Sequence, residues 1–213
     1  MAYDYLNPDR ALIFRIEHVD NLPWDLSQGA LHCRNSGNVN PEYVNIGNSD
    51  LISARASHPV PIDPGGTLSD YVPFYFTPFS MMMFNIVTGR HVAKREKSEI
   101  IILVSSIHNL RELGLRFVFT NQHAKAAATQ FYSEDGSLED IDWVILQNRD
   151  FSRDDDAGKQ VRYQAEALVF QQVPLSAILG ISCFDEAMKI KVEAMMADAN
   201  CELPVHCRPG MYF

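Results

Sequence analysis

The stretch Arg162-Tyr163-Gln164-Ala165-Glu166-Ala167-Leu168-Val169-Phe170 sets one carboxylate into an otherwise apolar run. Residues 165–170 read as a short buried strand. Ionising a lone glutamate there is costly unless something nearby rewards the charge. Two readings follow: an edge strand that turns Glu166 to water, or a buried strand that holds the carboxylate for chemistry. What the rest of the chain places beside it decides between them.

Working outward, residues 149–159 (RDFSRDDDAGK) are polar and expected to be mobile. Helices are expected over 124–130 and 137–147, and a strand over 116–119. The Ile-Ile-Ile-Leu-Val run makes 99–104 a buried strand, followed by a helix over 106–113 that stops at Gly114. Residues 72–76 form a strand whose Pro73 suggests an edge or strand-start position. A helix over 79–87 closes at Gly89, with Met81, Met82 and Met83 packing in the core or lining a pocket. Leu12–His18 alternates as a first strand. Asp20 or Asn21 then caps a short helix containing Pro23 and ended by Gly29. Residues 34–61 show no sustained period and read as a long loop with at most one brief helix. Beyond Phe170 come a short helix, a strand over 181–184, an amphipathic helix over 185–199 and a last extended piece. Without a regular β-α-β rhythm, the class is α+β.

The 213 residues are expected to form a single domain, 1–213, large enough for a real core. Hydrophobic residues make up 46% and charged residues 21%, as in ordinary globular proteins. No apolar run could span a bilayer and MAYDYLNPDR is no signal peptide, so a cytoplasmic location is expected. Cys33, Cys183, Cys201 and Cys207 form no C-x-x-C pair and read as reduced thiols. A net charge of −9 argues against a general nucleic-acid coat but leaves room for a local basic groove, with residues 90–97 (RHVAKREK) one candidate. There is no G-x-G-x-x-G, Walker A loop, H-E-x-x-H, zinc-deaminase pattern or G-x-S-x-G elbow. The expected chemistry is therefore metal-free.

Four stretches together resemble the DarT family of DNA ADP-ribosyltransferase toxins. They are FRIEHVDN (14–21), Arg55 with GGTLSDYVPFYF (65–76), RFVFTNQH (116–123) and QAEALV (164–169). Their order and spacing cover nearly the whole chain, and the pattern is most similar to the branch that modifies thymidine in single-stranded DNA. The resemblance implies an ADP-ribosyltransferase-like split β-sheet with surrounding helices and NAD+ in a central cleft. It implies transfer of ADP-ribose to a base, release of nicotinamide, and a macrodomain antitoxin (DarG-like) as partner. Residue by residue, Glu166 matches the catalytic glutamate and Arg55 an essential arginine beside the nicotinamide ribose. Arg15, Ile16 and Glu17 match the first-strand segment that contacts NAD+, although some relatives carry His-x-Thr there. Tyr75 matches an aromatic near the nicotinamide, and Trp24 falls near the dinucleotide. The loop over 37–57 corresponds to an element that folds over NAD+. The region over 123–166 corresponds to one that presents the target base, which makes His123, Arg149, Arg153 and Arg162 candidates for contacting DNA.

The residues themselves leave alternatives beside those roles. Arg55 reads as a surface loop residue or as a positioning cation, a guanidinium being a poor proton acceptor. Tyr75 reads as core or cleft, its neighbours Phe74 and Phe76 pointing the opposite way. His123 reads as a satisfied loop imidazole or a DNA contact. Transfer to guanine or RNA, and a non-catalytic nucleic-acid-binding module of the same fold, remain open at this point.

Overall fold

In the computed structural model of the chain, the described residues are 3–149, 151 and 156–213. Strand β1 (Leu12–His18) runs into α1 (Leu22–Gln28), which Gly29 ends in the left-handed conformation, φ 67°. β2 (Ala30–His32) leads to the long loop, whose one helix is α2 (Ser49–Arg55). β3 (Tyr71–Tyr75) and α3 (Met81–Thr88) follow, then β4 (Ile100–Ser106) and α4 (Ile107–Glu112). β5 (Phe117–Thr120), β6 (Phe131–Tyr132), α5 (Trp143–Asn148) and α6 (Lys159–Arg162) lead to β7 (Glu166–Phe170). β8 (Gln172–Pro174), β9 (Gly180–Cys183), α7 (Glu186–Asp198) and β10 (Val205–Cys207) complete the order.

Eight strands form one sheet in the order β10-β9-β4-β1-β3-β7-β5-β6, and β2 pairs with β8 in a second, two-stranded sheet. Every pairing is antiparallel except β10 with β9. The class is α+β, as expected. Ile100, Ile101, Ile102 and Leu103 of β4 are fully buried, each contributing on the order of 2 kcal/mol by removal from water.

The sheet parts between β1 and β3, which share only the register Phe14↔Tyr75, whereas β1 and β4 pair over seven residues. Pro73 sits at that opening. It lies neither on an edge nor at a strand start, since β3 runs between β1 and β7. Phe76 N donates to Ala165 O, and Pro73 faces Leu168 one odd step along the same ladder. Its missing N–H therefore falls on the side where β1 has moved away. Glu166 is likewise not on an edge: β7 is flanked by β3 and β5, and the residue is 1% exposed.

Two helix expectations differ from the structure. Residues 124–130 form successive turns, with Ala126 N bonded to His123 O and the Thr129 hydroxyl donating to the same carbonyl. Residues 137–147 divide into a 3-10 segment, Asp135–Asp140, and α5, because Ile141 is extended and Asp142 starts a new helix by accepting from Ile145 N. Asn21 precedes α1 but makes no side-chain cap; its amide is used elsewhere.

Candidate active site

A cavity of about 440 Å³ opens at the parting of β1 and β3, within the range of small-molecule sites. Arg15, Ile16, Glu17, Trp24, Arg55, Tyr75, His123 and Glu166 all line it. Sequence positions 15 and 166 thus share one wall.

Register brings Glu166 to the cavity: β3 places Tyr75 directly opposite it. Arg55, the last residue of α2, reaches across from the loop, and its Nη1 donates to Glu166 Oε2 at 2.8 Å. Ala124 N donates to the other oxygen, Oε1, at 3.0 Å. Thr120 Oγ1 accepts from Glu166 N at 3.1 Å and donates to Gln122 O at 2.7 Å, tying strand and turn together. The carboxylate is dry, fixed and paired. Arg55 is no surface residue: its side chain is 17% exposed, and its Nη2 is buried with no partner among the described residues. That leaves a donor free for a ligand beside Glu166.

Tyr75 belongs to the cavity wall, while Phe74 and Phe76 are wholly in the core. Burial and the nearby Glu166 carboxylate push its phenol well above the ordinary value, so it stays protonated. Of the three methionines, Met83 is core and Met82 lines the cavity, 3.7 Å from the Tyr75 hydroxyl. His123 Nδ1 accepts from Lys125 N at 3.1 Å, which leaves the proton of the neutral ring on Nε2. Burial lowers its pKa, opposed by the Glu166 charge. Trp24 packs edge-on against His32, ring centroids 5.7 Å apart.

Arg15 Nε donates to Glu17 Oε2 at 3.2 Å, and its Nη1 reaches Pro73 O at 3.4 Å across the gap. Burial opposes the Arg15 charge, but Glu17, Tyr43 and Asp25 together more than restore it. Asp25 of α1 also lines this end, which the sequence reading missed. The signal was available: Leu22, Asp25 and Leu26 lie at helical spacing on the buried face of α1.

The loop over the cavity is held by Asn21, whose Nδ2 donates to Val44 O at 3.1 Å while its Oδ1 accepts from Val44 N at 2.8 Å. The string 65–76 is a scaffold for β3. Gly66 has φ +77°, and a Cβ there would fall 2.6 Å from Asp70 Oδ2. Asp70 Oδ1 accepts from Asn35, and the Tyr71 hydroxyl donates to Gly65 O at 2.6 Å.

Arg149 and Arg162 do not line the cavity. The Arg149 guanidinium lies 3.9 Å from the Phe79 ring centroid and donates to the Tyr3 hydroxyl at 3.0 Å. Arg162 pairs with Asp142 at 3.0 Å and with Asp156. Arg153 lies outside the described residues, as does part of the polar stretch 149–159. In the basic run 90–97, Lys94 pairs with Glu96 and Arg90 lies over Phe84.

The model of the family described as "ssDNA thymidine ADP-ribosyltransferase, DarT" matches residues 14–213. The chain belongs to the DarT family. It is 51% identical to a DNA ADP-ribosyl transferase of Escherichia coli O127:H6, over the full length of both chains. The solved structure of Thermus sp. 2.9 DarT in complex with ADP-ribosylated ssDNA superposes with a TM-score of 0.91 at 29% identity, covering 97% of this chain and 98% of that one. Thermus sp. 2.9 DarT in complex with NAD+ gives 0.85 at 29% identity, covering 97% of this chain and 100% of the other. Among the described residues no group of His, Cys, Asp or Glu is arranged to hold a metal ion, and no helix is long and apolar enough to cross a membrane.

Proposed function

We propose that this DarT-family chain, as a single domain over 1–213, transfers ADP-ribose from NAD+ to thymidine in single-stranded DNA. The observation that carries the assignment of roles is the Arg55–Glu166 contact of 2.8 Å inside a cavity that Tyr75 and His123 also line. The buried Nη2 of Arg55, with no partner among the described residues, fits a site built for a polar ligand.

Breaking the bond between nicotinamide and ribose C1′ sends the bonding electron pair to the nicotinamide nitrogen and builds positive charge on C1′ and its ring oxygen. Glu166, fixed by Ala124 N–H and Arg55, accepts from a ribose hydroxyl and faces that charge. It therefore stabilises the transition state more than the ground state. Thymine N3 forms the new bond to C1′ and gives up its proton to solvent water. Arg55 stabilises the developing base anion and positions it, without acting as the proton acceptor. Tyr75 packs against the nicotinamide, and His123 offers Nε2–H to the incoming base. Arg15, Ile16, Glu17 and Trp24 hold the dinucleotide. An acidic protein can use DNA in this way because stacking and a few phosphate contacts suffice for a short single strand. Arg149, Arg153 and Arg162 are the proposed phosphate contacts. A toxin of this kind, working in the cytoplasm, is paired with a macrodomain antitoxin that removes the mark.

Purified protein incubated with NAD+ and a panel of oligonucleotides is expected to add one ADP-ribose to thymidine-containing single strands, read by mass spectrometry. Glu166→Gln is expected to lower the rate at least about 100-fold, the equivalent of about 3 kcal/mol. Transfer only to guanine-containing or RNA strands would overturn the substrate. DNA binding without NAD+ consumption would overturn the enzyme.

A further inference from the structure

The cavity wall contains two buried acids: Glu17, already assigned to the dinucleotide, and Asp25, which has no role so far. Glu17 of β1 is 2% exposed and Asp25 of α1 is 5% exposed, and both line the cavity. Arg15 satisfies Glu17 Oε2. Asp25 Oδ2 is buried and, among the described residues, no N–H donates to it; the side chain beside it is the Glu17 carboxyl, itself an acceptor. A carboxyl group in that position costs stability unless a donor arrives from elsewhere. One charge on Arg15 also cannot balance two buried carboxylates side by side. Burial, and then the Glu17 charge, hold the Asp25 carboxyl well above the usual carboxylate range, with Arg15 opposing. The other titratable or charged groups facing it are Tyr43 from the covering loop and, through Tyr43, Arg34.

We propose that Asp25, beside Glu17 in the cavity wall, reads a hydrogen-bond donor of the dinucleotide, its buried Oδ2 accepting from a ligand N–H or O–H. Asp25 is thus a specificity-determining residue for the co-substrate, and it acts on binding rather than on the bond-breaking step. The inference rests on the NAD+ reading above. Its cost to the free protein is the mark of a group kept for a ligand: the fold would be more stable without that acid.

The test uses the full chain and three ligands: NAD+, its nicotinic-acid counterpart and ADP-ribose. Asp25→Leu, which removes the acceptor, is expected to raise KM for NAD+ about tenfold while kcat changes less than about threefold, the size of one ligand hydrogen bond lost, and Asp25→Asn, whose amide oxygen still accepts, to raise it less. Loss of ADP-ribose affinity in the same variants assigns the donor to a ribose or the adenine. Retained ADP-ribose affinity, with lost preference for NAD+ over its nicotinic-acid counterpart, assigns it to the carboxamide. Both variants are also expected to melt above the parent at pH 8. That gap should close toward pH 4, because the unfolded Asp25 ionises across this range and the folded one resists. Unchanged KM in both variants with the raised melting point would make Asp25 a structural defect only and overturn the proposal. A parent protein that neither binds nor consumes NAD+ would overturn the parent reading first, and the role of Asp25 with it.

Discussion

Arg55 donates to one Glu166 oxygen while the Ala124 amide holds the other, so charge and shape at position 55 can be separated. Arg55→Ala leaves a carboxylate that is 1% exposed with only a backbone donor. The expected cost is about 3 kcal/mol in stability, seen as a shifted denaturation midpoint. Arg55→Lys keeps the charge but removes the planar fork that serves Glu166 with one nitrogen and the cavity with the other. It is expected to fold like the parent and to lose most of the ADP-ribose transfer. Parent-like transfer by the lysine variant would show that position 55 contributes charge alone. At this scale the sequence named Glu166, Arg55 and Tyr75, yet it gave Tyr75 no face. Orientation came from register: Tyr75 opposite Glu166, with Phe74 and Phe76 turned into the core.

Among the elements, the loop between β2 and α2 is held over the cavity by asparagine side chains as well as by backbone bonds such as Asn35 N to Ser69 O. Asn48 caps α2 by accepting from Asp50 N and Leu51 N, and Asn21 clamps the backbone of Val44 from the start of α1. Asn21 is 1% exposed, so its amide has no water to fall back on. Asn21→Ala is expected to free the loop, lower stability by about 1–2 kcal/mol, and raise KM for NAD+ several-fold with little change in kcat. A KM equal to the parent's would mean that the loop keeps its place without the clamp. Asparagine before a helix suggests a cap from sequence alone, and here the same side chain serves a contact 23 residues away. Pro73 was misleading for a related reason. Proline excludes a strand whose N–H is used, and nothing local reveals that β1 has withdrawn from that side.

For the whole molecule, the pH profile follows from what the fold buries. His123 is held neutral by burial against the pull of Glu166, so its folded pKa lies below the unfolded value of about 6.5. Its contribution to stability is fully present above that value and is lost as pH falls through the lower, folded one. His123→Gln is therefore expected to flatten the fall in unfolding free energy between pH 7 and pH 5, measured by denaturant titration. Equal slopes for parent and variant would refute the burial argument. The sequence by itself determined most strands and helices, because periodicity and stops such as Gly29 and Gly89 act between near neighbours. It also determined the family, through motifs spread along the chain. The tertiary structure alone decided that Arg55 meets Glu166 across 111 residues, that β3 and β7 run inside the sheet, and that Tyr75 stands opposite Glu166. Such meetings depend on strand register and on where a sheet opens, and those are set by the packing of the whole core, for which no short stretch of chain carries a signal.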